Sequence, residues 1–147
     1  MSTEDNKALL RRLIDEIVNK GNLAVADQLI ASDYVYRSPG SPDVRGPEGF
    51  KQLVQMYRSA FPDLTMSVEE QIAEGDKVAT RWMATGTQRG ELMGVPPSGK
   101  QVSVMGMVIS RCAGGRIVEE VELIDALGML QQLGAIPAAA QPAGAPA

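Results

Sequence analysis

The order of elements in the sequence predicts an α+β domain. Three amphipathic helical stretches come first, four β-branched stretches follow, and glycine turns separate consecutive strands. Helices grouped ahead of antiparallel strands pack across one face of the sheet they precede. A strongly bent antiparallel or mixed sheet with helices laid over it makes a cone-shaped α+β barrel that encloses a pocket.

The first helix is predicted over 5–20, where Leu9, Leu10, Leu13, Ile14, Ile17 and Val18 recur at three- and four-residue spacing and form one apolar stripe. Gly21 ends it. Asn22 is placed to cap a short second helix carrying Leu23, Ala26, Leu29 and Ile30. Residues 32–46 read as a loop with a strand stub at Tyr34–Tyr36. Pro47 suits the first position of a third helix, in which Phe50, Leu53, Val54 and Tyr57 keep helical spacing until Phe61 and Pro62 stop it.

Four strands are then expected over 64–75, 77–90, 100–113 and 115–125. Glu74-Gly75-Asp76-Lys77 and Ala113-Gly114-Gly115-Arg116 have the composition of hairpin turns. Between the middle strands, 91–100 holds two prolines and two glycines and is a connecting loop. Ala126–Leu133 supplies one or two last helical turns before Gly134. The domain is thus 1–134, followed by a Pro/Ala-rich segment, 135–147, expected to be a mobile tail.

Composition removes several function classes. A chain of 147 residues fits one domain with a sizeable core. A net charge of −4 argues against binding nucleic acid or anionic membranes. The lone Cys112 has no disulfide partner, and with no histidine the usual imidazole or thiolate metal cage cannot be assembled. The acidic N-terminus lacks the pattern of a signal peptide and no run of 18 apolar residues occurs, so a cytoplasmic location is expected. Chemistry in this chain has to run on carboxylates, arginines, tyrosines or water.

The stretches 9–35, 46–64, 78–102 and 115–134, the last reading GRIVEEVELIDALGMLQQLG, resemble the SnoaL-like polyketide cyclases of the nuclear-transport-factor-2-like superfamily. The resemblance covers about residues 5 to 134. It implies a cofactor-free and metal-free pocket in which an aspartate matching Asp125 is the general acid and base of an intramolecular aldol ring closure. The chain departs from that pattern at three positions where many relatives carry histidine: Arg37, Gln88 and Glu120.

Asp125 stands between an apolar strand and a helical turn, which suits a pocket carboxylate or a helix N-cap. Strand alternation puts Glu119, Val121, Leu123 and Asp125 on one face, and Val118, Glu120, Glu122 and Ile124 on the other. Glu119 is thereby a candidate to share the pocket with Asp125 and bind substrate. The two nevertheless lie about 20 Å apart along an extended strand, too far for a direct pair, and solvated charges are the commoner fate of such glutamates. Arg81, mid-strand, pairs with a pocket acid or forms a structural salt bridge. With Met83 two positions on, the second acid of an epoxide-hydrolase arrangement is missing.

Tyr36 and Arg37 are candidates for holding a polar substrate oxygen at the mouth, and Gln88 for orienting without titrating. Trp82, Met83, Met105 and Met107, with Val121, offer soft apolar surface either to a small apolar or aromatic molecule or to a core or dimer interface. Two function classes remain: a cyclase or isomerase working through Asp125, and a non-catalytic binding or scaffold protein of the same fold. Epoxide or lactone hydrolysis is a third. The apolar exposed sheet face leads to the expectation of a homodimer.

Overall fold

The computed structural model describes residues 2–137, so most of the expected tail lies outside the described residues. Helix α1 (Thr3–Arg12) opens with a capping box, in which Ser2 Oγ accepts from Asp5 N and Ser2 N donates to Asp5 Oδ2. It runs directly into a π-helical segment, Leu13–Asn19, whose extra residue per turn ends with Lys20 N donating to Asp15 O. Asn19 then pairs both of its amide atoms with the backbone of Met66, fastening this end to the sheet.

A short 3₁₀ turn, Leu23–Val25, leads into α2 (Ala26–Leu29). Asn22 precedes that turn but makes no side-chain cap bond. The strand stub expected at Tyr34–Tyr36 is an eight-residue strand, β1 (Ile30–Arg37), which begins where the second helix was expected to continue. Its middle, Ala31-Ser32-Asp33, has poor strand propensity. The strand is drawn out by parallel pairing with the last strand, and a register shift between Ile30 and Val35 absorbs the poor fit. The two-residue β2 (Val44–Arg45) pairs with it, and α3 (Gly46–Ala60) follows with Pro47 in its first turn.

Strands β3 (Thr65–Glu74), β4 (Lys77–Thr87), β5 (Gln101–Ala113) and β6 (Arg116–Ile124) form where the sequence predicts them, and α4 (Ala126–Gln132) is the last element among the described residues. Gly75, at φ +59°, takes the first position of one two-residue hairpin loop; Gly114 and Gly115, at +59° and +76°, fill the other. The sheet order is β2-β1-β6-β5-β4-β3, with β1 and β6 parallel and the other pairs antiparallel. It is mixed and open, not a closed barrel, with β2 and β3 at its edges.

Leu10, Leu13, Ile14, Ile17 and Val18 bury the predicted stripe against the sheet, and the Tyr34 and Phe50 rings meet edge to face at 6.0 Å. On β4 and β5 burial alternates strictly: Trp82, Ala84, Val104 and Val108 turn inward, while Met105, Met107 and Ile109 turn out. On β6 the alternation slips once. The register shifts as β5 passes from Arg111 to Cys112, so two β6 residues occupy one step; Ile117 and Glu120, three apart, are both buried. No helix among the described residues is long and apolar enough to cross a membrane.

Candidate active site

Between the helices and the inner sheet face lies a cavity of about 120 Å³. Leu13, Val18, Phe50 and Val54 wall it from the helical side, and Val104, Val108 and Ile124 from the sheet. Into this apolar space the chain places two carboxylates, Glu120 and Glu122, two residues apart on the inward face of β6.

Glu120 is buried, 4% exposed. Its Oε1 accepts from the Tyr34 hydroxyl at 2.7 Å and its Oε2 from Ser110 Oγ at 2.6 Å. Burial pushes its carboxyl up, and those two hydrogen bonds oppose the shift. Glu122 stays partly accessible, as a group that faces a cavity must. Its Oε1 accepts from the Tyr36 hydroxyl at 2.5 Å and its Oε2 from the Trp82 indole nitrogen at 3.1 Å.

Burial is the main reason that the Glu122 carboxyl rises to about 7; the nearby Glu120 adds to it, and the bonds from Tyr36 and Trp82 work against it. A carboxylate set near neutrality can both take and return a proton. The same burial, followed by the neighbouring glutamate charge, raises Tyr34, Tyr36 and Tyr57, so all three remain neutral donors. Tyr34 and Tyr36 commit their hydroxyls to the glutamates. The Tyr57 hydroxyl, on α3 at the cavity wall, has no hydrogen-bond partner among the described residues.

Of the residues singled out from the sequence, the structure brings Tyr36 and Trp82 to this cavity. Asp125 is not part of its wall, although its near neighbours Ile124 and Met129 are. It is exposed and caps α4, with Oδ1 accepting from Gly128 N at 2.9 Å. Arg37 is on the exterior, where it meets Glu119 at 3.0 Å and Asp43 at 3.7 Å, so neither Arg37 nor Glu119 reaches the site. Arg81 forms the structural salt bridge, with Glu70 at 3.6 Å.

Strand parity also carries Met83, Met105, Met107 and Val121 to the outer sheet face, away from the cavity. Gln88 is completely buried but does structural work: its amide donates to Val95 O and accepts from Ser98 N, bracing the loop before β5. Burial lifts the Cys112 thiol to about 11, leaving it inert. Among the described residues, no group of three or more His, Cys, Asp or Glu could hold a metal ion.

Sequence reasoning noted Glu120 only as a departure from the family pattern, read Glu120 and Glu122 as solvated charges, and did not single out Tyr57, yet all three line the cavity. Period-two alternation had already placed both glutamates on one face with Ile124. What it lacked was which face the helices cover. An acid alternating with apolar residues was the available signal, and an exposed strand has the same pattern.

Residues 8–133 match the SnoaL-like polyketide cyclase family. The chain is 30% identical over 139 residues to aklanonic acid methyl ester cyclase DnrD of Streptomyces peucetius, covering 91% of this chain and 92% of that one. It is also 30% identical over 118 residues to nogalonic acid methyl ester cyclase of Streptomyces nogalater, covering 79% and 88%. Among solved structures, IdmH from Streptomyces antibioticus superposes with a TM-score of 0.77 at 36% identity, over 88% of this chain and 98% of that one. TsrD from Streptomyces laurentii does so with 0.84 at 26%, over 92% and 99%. The fold agrees with these superpositions, and the match over residues 8–133 settles the family: the chain belongs to the SnoaL-like polyketide cyclase family.

Proposed function

We propose that this protein closes a carbocyclic ring in a polyketide chain by an intramolecular aldol reaction, with Glu122 as general base and then general acid. The observation that carries the reading is a carboxylate poised near neutrality in an apolar cavity and fixed through both oxygens by Tyr36 and Trp82. Two relatives named as cyclases of polyketide methyl esters support the substrate class, a small and largely apolar or aromatic molecule.

In the reaction, Glu122 takes the proton from a carbon next to a carbonyl, and the C–H electron pair moves onto that carbonyl oxygen as an enolate. The enolate carbon attacks a second carbonyl of the same molecule, a C–C bond forms, and the new alkoxide takes the proton back from Glu122. No atom is lost and no redox change occurs, so the route uses no cofactor. The apolar walls fold the chain so that the two carbons approach, which contributes several kcal/mol at a well-oriented site.

The test is ring closure of aklanonic and nogalonic acid methyl esters by wild type, Glu122→Gln and Asp125→Asn. A loss of about 10²-fold or more in kcat confined to Glu122→Gln is expected. A loss confined to Asp125→Asn would transfer the role to Asp125, the residue that the family resemblance favours. Binding without turnover by wild type would favour the non-catalytic reading.

We also propose that the outer sheet face pairs with a second copy. Met105, Met107, Ile109, Val121 and Leu123 present contiguous apolar side chains there, 44–62% exposed. Light scattering should give a dimer mass for wild type and a monomer mass for Met107→Glu; a monomeric wild type would refute the pairing.

A further inference from the structure

We propose that Tyr57 is a catalytic residue that donates a hydrogen bond to the substrate carbonyl oxygen as it becomes the enolate. The inference rests on the aldol reading above and adds the partner that Glu122 requires.

The side-chain donors that line the cavity are Tyr36, Tyr57, Trp82 and the exposed Thr85, and Tyr36 and Trp82 are already committed. Tyr36 and the Trp82 indole donate to Glu122, and Tyr34 and Ser110 donate to Glu120. Tyr57 lines the same cavity with a neutral hydroxyl that has no acceptor among the described residues. Tyr57 is half-buried, and its hydroxyl is free to donate to a ligand carbonyl that enters the cavity. Its backbone is held firmly: Tyr57 O accepts from Phe61 N at 2.8 Å, and the adjacent Arg58 guanidinium donates to Val18 O and Asn19 O at 2.8 and 2.9 Å. A donor on a braced helix end is placed before the substrate arrives.

The electrostatics fit this role. The Glu122 charge is felt at Tyr57, so the two groups share one neighbourhood. When Glu122 takes the substrate proton, its negative charge moves to the substrate oxygen. The cavity still holds that one charge, now on an atom that the Tyr57 hydroxyl can meet. No further proton or cation is needed.

Two measurements test the assignment. Tyr57→Phe, which keeps the ring, should lower kcat for methyl ester ring closure by roughly 10²-fold, leave KM within about twofold, and leave the acid-limb midpoint set by Glu122 in place. The second measurement needs no turnover. With Glu122→Gln imitating the protonated base, bound 2-naphthol serves as an enolate mimic, and its ionised fraction is read by absorbance against pH. Adding Tyr57→Phe to Glu122→Gln should raise the bound naphthol pKa by about one unit. Unchanged kcat in Tyr57→Phe, or the same naphthol pKa with and without Tyr57, overturns the assignment. Full turnover by Glu122→Gln would instead overturn the assignment of the base to Glu122, while leaving the naphthol comparison able to judge Tyr57.

Discussion

Trp82 lies across Gly106. The two residues are paired in the β4–β5 register, and a Cβ built on Gly106 would collide with the indole, most closely at Trp82 Cζ2. The missing side chain is what lets the indole lie flat enough for its nitrogen to reach Glu122 on β6. Gly106→Ala should therefore cost about 1–3 kcal/mol through overpacking, and in the same variant move the acid limb of the activity profile upward as the Trp82 bond is lost. Urea unfolding together with a pH–rate profile checks both. A normal profile would mean that Trp82 does not tune Glu122.

Tyr36→Phe removes the other bond while conserving shape. Hydrogen bonding stabilises the charged form of Glu122, so its loss should raise the apparent midpoint of kcat/KM from about 7 by roughly one unit. Activity falls most at pH 6 and recovers at high pH. A uniform fall at every pH would assign Tyr36 to substrate binding instead.

Stability should run against activity in the neutral range. Burial raises Glu122 from 4.5 to about 7 in the folded state, so between those values the native chain binds more protons than the unfolded one. The stabilising contribution is whole below pH 4.5 and is lost as pH rises through 7, on the order of 3 kcal/mol in all. Glu120 is shifted in the same direction. Asp63, lowered by its bonds from Thr87, has the opposite sign and acts only at more acidic pH. Denaturant midpoints from pH 5 to 8 should decline for wild type and flatten for Glu122→Gln.

Asp125 and Gly128 form a coupled pair at the start of α4. A Cβ on Gly128 would collide with the Asp125 carboxylate that caps its backbone nitrogen. Asp125→Ala should cost about 1 kcal/mol. Gly128→Ala should destabilise wild type despite the better helix propensity of alanine, and stabilise the Asp125→Ala background by up to about 1 kcal/mol. Thermal melts of the four proteins give the coupling directly; additive effects would refute it.

Most of the fold was legible in the sequence because its signals are local. The helical stripe from Leu9 to Val18, the Pro47 start and the Gly114-Gly115 turn each specify structure within a few residues. β1 was underread because pairing with a strand more than 80 residues away creates it, and Ala31-Ser32-Asp33 carries no trace of that. The site was half legible. Tyr36 was selected as a neutral donor to a substrate oxygen and Trp82 as soft apolar surface, and both line the cavity. Met105 and Met107 have the same apolar character but the opposite parity, and only the position of the helices tells the faces apart. Asp125 left two roles open, and the free Gly128 nitrogen beside it selects the cap.

The parallel contact between β1 and β6 determines when the site comes into existence. Both tyrosine–glutamate bonds join residues 86 positions apart, linking an early strand to the last one. No shorter fragment lacking either strand contains both tyrosine–glutamate pairs, and loop closure makes such distant pairing slow relative to local hairpins. During synthesis the two glutamates emerge after every other strand has been made, so these charges are among the last groups to enter the core.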